Sequence, residues 1–167
     1  MREMTSAERG AMMAKVRSKN TLPERQVRQA LSRMGVGYRL HRKSLPGSPD
    51  IVLAGRRKVI FVHGCYWHRH KGCRRASMPR TNEPFWRTKF ERNVQRDGEA
   101  LEGLRELGWS ALVVWQCECQ PGQSLERRIR DFLDISDADA DRLGAGDRRA
   151  GTTHPLDAGP SSLALLE

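Results

Sequence analysis

What this chain has little of sets the first bounds. No stretch of its 167 residues approaches the length of an apolar membrane span. Met1-Arg2-Glu3 leads straight into polar residues, with no apolar signal core. The expectation is a cytoplasmic protein with no membrane partner. Disulfides are rare there, so the four cysteines are expected as thiols or metal ligands. No internal repeat is visible. Residues 136–167 have too few large apolar side chains to bury a core, and this tail is expected to be disordered. That leaves one domain of ordinary size over residues 1–135. Acidic residues are also in deficit. The net charge is +10, and the tail holds three arginines against six acids, a net of −3, which leaves +13 on residues 1–135. A body that basic attracts phosphate at long range, so a nucleic-acid partner is favoured over an acidic protein partner.

Hydrophobic periodicity and turn chemistry order the elements. A first helix is expected over 6–17. Thr21-Leu22-Pro23-Glu24 has capping-box spacing for a second, with Val27, Leu31 and Met34 on its apolar face and Gly35 at its end. Tyr38 to His41 reads as a short edge strand. Ile51-Val52-Leu53 and Val59-Ile60-Phe61-Val62, joined near Gly55, read as a hairpin. A long helix is expected from Glu83 to Leu107, a buried strand from Trp109 to Trp115, and a closing helix from Ser124 to Leu133 with Leu125, Ile129, Phe132 and Leu133 inward. This order predicts an α/β sandwich with a mixed sheet.

Most of the chemistry lies in Phe61 to Cys73, which packs three histidines, two cysteines and an adjacent Tyr66-Trp67 pair into thirteen residues. Cys65, His70 and Cys73 have the spacing of metal ligands on one loop. A structural zinc wants a fourth ligand, and Cys117 or Cys119 can supply it. Strand alternation puts Phe61 and His63 on one face and Ile60 and Val62 on the other. His63 is therefore expected beside Asp50 if the two strands are neighbours. Asp50 is a hard oxygen donor suited to magnesium, and phosphodiester cleavage needs a metal to activate water and neutralise charge. A lone Asp after Pro is usually a turn residue; the conjunction of Asp50, His63 and His68 favours chemistry. Trp67 and Trp86 are expected to act as wedges between base pairs, whereas Phe85 is expected to pack in the core.

Several blocks together resemble the very short patch repair (Vsr) endonuclease family. They are Leu45-Pro46-Gly47-Ser48-Pro49-Asp50, Val59 through His68, Phe85-Trp86, Lys89 with Arg92 to Asp97, Leu107-Gly108-Trp109 with Val113 to Cys117, and the opening Arg17-Ser18-Lys19-Asn20. The similarity runs in order from Thr5 to Leu133. It implies a restriction-endonuclease-like α/β/α sandwich with a mixed sheet and a structural zinc. It implies an enzyme that nicks DNA 5′ of the T in T:G mismatches left by deamination of 5-methylcytosine, giving 3′-hydroxyl and 5′-phosphate ends and starting short-patch repair. Asp50 would bind Mg2+ with the main-chain carbonyl of Val62. His68 would act on the water or the phosphate, and His63 would support the site. Glu24 and Asp97 would be acidic partners that orient the histidines or metal-bound waters. Cys65, His70, Cys73 and Cys117 would bind Zn2+; the zinc loop, with Lys71-Gly72 before Cys73, is one residue longer than the family form nearest to it. Tyr66, Trp67 and Trp86 would wedge into DNA, and the first helix would touch the minor groove. The enzyme would act as a monomer, with downstream repair proteins as further partners. Two other readings share these residues: a restriction-type site-specific endonuclease, and a non-catalytic zinc DNA-binding module. Retention of Asp50, His63 and His68 argues against the second.

Overall fold

A computed structural model describes residues 19–120 and 123–136. The helix expected over 6–17 and all of the tail beyond Ser136 lie outside them. Helix α1 spans Leu22–Arg33. Thr21 caps it by accepting from the Glu24 N–H, and the Glu24 carboxylate accepts from the Thr21 N–H, so the reciprocal capping box forms. Val27, Ala30 and Leu31 are its buried stripe. Gly35 ends it at φ +64, a left-handed turn that glycine adopts without steric cost.

The strands are β1 (Arg39–Leu40), β2 (Ile51–Leu53), β3 (Lys58–His63) and β4 (Ser110–Trp115), in the order β1-β2-β3-β4. β1, β2 and β3 pair antiparallel, and a 3-10 turn over Ala54–Arg56 closes the β2–β3 hairpin. β3 and β4 are parallel. A parallel pair needs a crossover, and here it carries the cysteine- and histidine-rich loop followed by helix α2 (Glu83–Glu106). Helix α3 (Gln123–Leu133) closes the described chain.

Alternation along the strands sorts the core into two layers. Ile51, Ile60 and Val114 meet Leu31 of α1 and Ile129 and Leu133 of α3 on one face. Val52, Val59 and Phe61 meet Leu104 of α2 on the other. The result is an open mixed sheet between helices. The loop before β2 presses against α2 so closely that a Cβ at Gly47 would lie 2.6 Å from that of Ala100, at a φ of +70. Two expectations change. The Trp109–Trp115 strand is not buried throughout: β4 is an edge, and of its residues only Val114 is fully buried, because no fifth strand covers it among the described residues. Phe85 is 53% exposed rather than core: it lies in the first turn of α2, whose buried residues, Phe90, Ala100 and Leu104, all come later along the helix. No helix among the described residues is long and apolar enough to cross a membrane.

Candidate active site and metal centre

The parallel β3–β4 register pairs His63 with Trp115. The two strands therefore end side by side, and the residues two positions beyond each end meet. Those residues are Cys65 and Cys117. With His70 and Cys73 they form a cluster whose four ligand atoms all lie within 4.8 Å of one another. In a tetrahedral zinc site, with Zn–S ~2.3 Å and Zn–N ~2.0–2.1 Å, sulfur and nitrogen ligands stand about 3.6 Å apart. His70 Nδ1 is 3.6 Å from Cys65 Sγ and 3.3 Å from Cys117 Sγ. The donor set and spacing thus fit zinc. Desolvation and the neighbouring Cys65 and Cys73 sulfurs push the Cys117 thiol up to about 12, which a bound cation reverses. His70 stacks on Trp115 at 4.3 Å, fixing the ring. Cys119, the other candidate, is buried in the apolar core with Leu125 and Ile129 and takes no part in the cluster.

Beside this loop, facing a cavity of about 980 Å³, lie the groups suited to hydrolysis. His63 ends β3 on the Phe61 face, as alternation requires. His68 comes from the turn closed by the His68 N–H donating to the Gly64 carbonyl at 3.1 Å. The two imidazoles stack at 3.9 Å with 13° between planes. Asp97, midway along α2, holds His68 through Nδ1 at 2.5 Å. That bond leaves Nε2 as the nitrogen free for proton transfer. Burial, and then the charge of His68, lowers the His63 pKa to about 4, so His63 is neutral at ordinary pH. Burial opposes ionisation of Asp97, but the His68 hydrogen bond and the surrounding positive charge outweigh it and hold its carboxyl below the usual range.

Asp50, the residue just before β2, lines the same cavity. Extending the β2–β3 register places it opposite Phe61, one position from the Val62 N–H, which donates to its carboxylate at 2.8 Å. In an extended strand the N–H and C=O of one residue leave along the same edge, so the Val62 carbonyl faces Asp50 as well. Desolvation raises the Asp50 pKa against the Val62 bond, and the nearby Glu24 charge adds to it. A half-buried carboxylate made uncomfortable in this way, with a carbonyl beside it, suits a hard divalent cation. Glu24 also lines the cavity, yet its carboxylate bonds are to Asn20 N–H and to Thr21 N–H and Oγ, at the cap of α1. Asp97 therefore orients a histidine, whereas Glu24 anchors the helix end and sets the field at Asp50.

At the rim, Tyr66 and Trp67 meet edge-on at 5.1 Å, and Trp86 approaches Trp67 at 6.2 Å. The Asn93 side-chain amide donates to the Trp67 carbonyl at 3.1 Å, and Lys89 sits over both indoles. Sequence reasoning assigned no role to Asn93 or Lys89. The available signal was helical: Trp86, Lys89, Asn93 and Asp97 recur at three- and four-residue steps and so share one face of α2.

The pKa directions fix a sign. Folded His63 binds its proton near pH 4 and an unfolded histidine near 6.5. Between these values the unfolded chain holds the extra proton, so stability falls as pH drops from about 6.5 towards about 4. Asp50, with its raised pKa, acts in the opposite sense. Comparing Tm against pH for the native protein and His63→Gln isolates the histidine: the variant is expected to show the shallower loss, and equal slopes would remove His63 as the cause.

Known proteins share this arrangement in sequence. A family model described as DNA mismatch endonuclease Vsr matches residues 1–75. The chain is 50% identical over 125 residues to the type II nicking enzyme V.XorIIP of Xanthomonas oryzae pv. oryzae, covering 75% of this chain and 91% of that protein. It is 37% identical to the type II nicking enzyme V.NmeAIP of Neisseria meningitidis over 134 residues, 78% of this chain and 95% of that one. It is 38% identical to the DNA mismatch endonuclease Vsr of Escherichia coli over 132 residues, 76% of this chain and 84% of that one.

Proposed function

Because the chain belongs to the Vsr family of DNA endonucleases, we propose that it nicks one strand of duplex DNA on the 5′ side of the T in T:G mismatches formed by deamination of 5-methylcytosine. The observation that carries this reading is the meeting, in one cavity, of Asp50 with the His63–His68–Asp97 group, under a rim of Tyr66, Trp67 and Trp86. Relatives named nicking enzymes support a cut in one strand. The layered sheet supports a restriction-endonuclease-like scaffold, and Cys65, His70, Cys73 and Cys117 are proposed to hold a structural zinc that pins the loop to the sheet edge.

Asp50 and the Val62 carbonyl would hold magnesium, which supplies charge neutralisation at the scissile phosphate and a more acidic water. The chain's own residues do the rest. Asp97 fixes the His68 ring through Nδ1, so Nε2 is aimed for proton transfer at the water or a phosphate oxygen. His63 lies parallel to His68 and stays neutral, so it stiffens that ring without adding a competing positive charge. Lys89 and Asn93 hold the aromatic rim in place.

An aromatic wedge gains most where pairing is already poor, while phosphate contacts ignore sequence. Trp67→Ala is therefore expected to lower the preference for T:G over T:A duplexes by about tenfold, roughly one to two kcal/mol of stacking, and to weaken general DNA affinity less. Competition binding with the two duplexes checks this. Equal losses on both would return Trp67 to ordinary packing.

A further inference from the structure

Asp50 and Ser48 also line a second, smaller recess of about 340 Å³, whose other walls are Lys19, His41 and Lys43. Nothing in the metal, histidine or aromatic assignments uses these three side chains. The recess is built on a pinned backbone. The His41 N–H donates to the Asp50 carbonyl at 3.2 Å, and the Ser48 N–H to the Leu45 carbonyl at 3.0 Å. His41 and Ser48 both sit at positive φ, +48 and +51, so the turn that carries Lys43 is flanked by two left-handed residues, and Lys43 shares the recess with Asp50. Among the described residues neither Lys19 nor Lys43 has a salt bridge. Two exposed ammonium groups, an imidazole and a hydroxyl thus surround one small space, with Asp50 as the single carboxylate at its edge.

That composition excludes a metal cation and suits a compact anion with several acceptor oxygens. Because Asp50 belongs to both spaces, an anion in the recess lies next to the phosphate placed for cleavage. We propose that Lys19 and Lys43, with His41 and Ser48, bind the DNA phosphate flanking the scissile one, and so set the register of the cut strand against Asp50. The inference rests on the endonuclease reading. The two lysines are positioning residues: they fix where the strand lies, and Asp50 acts on the neighbouring phosphate.

The test is equilibrium binding of the full chain to a T:G duplex in magnesium-free buffer across a salt series. Two lysines on one phosphate release about one condensed counterion's worth of salt dependence, not two. Lys19→Gln with Lys43→Gln is expected to weaken binding about tenfold at low salt and to lower the salt slope by about one. Arg105→Gln, paired with Glu102 at the far end of α2, is expected to leave the slope unchanged. On a duplex carrying an uncharged methylphosphonate next to the scissile position, the double variant and the native chain should bind alike. A slope lowered by about two, an unchanged slope, or a penalty that persists on the methylphosphonate duplex overturns the proposal. If the native chain itself fails to bind the T:G duplex, the mismatch reading fails instead.

Discussion

Asp50→Asn is expected to abolish nicking while leaving the fold as stable as before, or more so. The carboxylate is half-buried, its pKa is raised by desolvation, and Glu24 adds to the repulsion. In the metal-free protein its charge is therefore a cost, held because a cation needs it. Asparagine keeps an acceptor for the Val62 N–H and removes the charge. Losing a ligand of a catalytic metal forfeits ~4 kcal/mol of transition-state stabilisation, about a thousandfold in rate. Little basic surface changes, so affinity for DNA should stay near native. Nicking rate, DNA affinity and Tm in metal-free buffer are the three readouts. A variant that nicks near the native rate removes Asp50 from the metal site.

The second large effect concerns the cysteine cluster. Cys65, His70, Cys73 and Cys117 converge from the loops that follow β3 and β4, and a metal bound there contributes folding energy directly. One zinc per chain is expected in the purified native protein. Cys65→Ser or a strong chelator should remove it and lower Tm by well over ten degrees, since the loss of several kcal/mol is a large part of a margin of ~5–15 kcal/mol. Nicking should fall as well, because the same loop carries His68 and starts from His63 at the end of β3. Elemental analysis gives the stoichiometry and a thermal scan the shift. Native protein free of zinc, or Cys65→Ser with an unchanged melt, contradicts the assignment.

How much of this was legible in the residues alone depends on whether local or long-range order decides. The Thr21–Glu24 capping box is local, and it formed as its spacing predicts. The face of β3 on which His63 falls follows from a period of two, and the structure places it with Phe61. The choice between Cys117 and Cys119 does not follow from spacing. It depends on the parallel register of β3 and β4, a pairing between residues about fifty apart in sequence, and that register brings Cys117 to Cys65 while burying Cys119 against α3. The exposed edge of β4 is likewise a property of the sheet, invisible in a run of apolar residues that reads the same in a central strand. Glu24 shows a different limit. Its role at the helix cap follows from the spacing, and only the geometry reveals that the same carboxylate also stands at the cavity wall beside Asp50. The recess of Lys19, His41 and Lys43 could not be seen because it is assembled from a helix entry and a turn.

The central claim is tested most directly by mapping the cut. Duplexes with one strand labelled at a time, carrying T:G or T:A at the same position across a panel of flanking bases, are incubated with the native protein and magnesium. The expected product is one nick, in the T-bearing strand only, immediately 5′ of the mismatched T, with 3′-hydroxyl and 5′-phosphate ends. Cleavage of both strands, or cutting of T:A duplexes as fast as T:G, would contradict the mismatch reading and leave a site-specific endonuclease on the same scaffold.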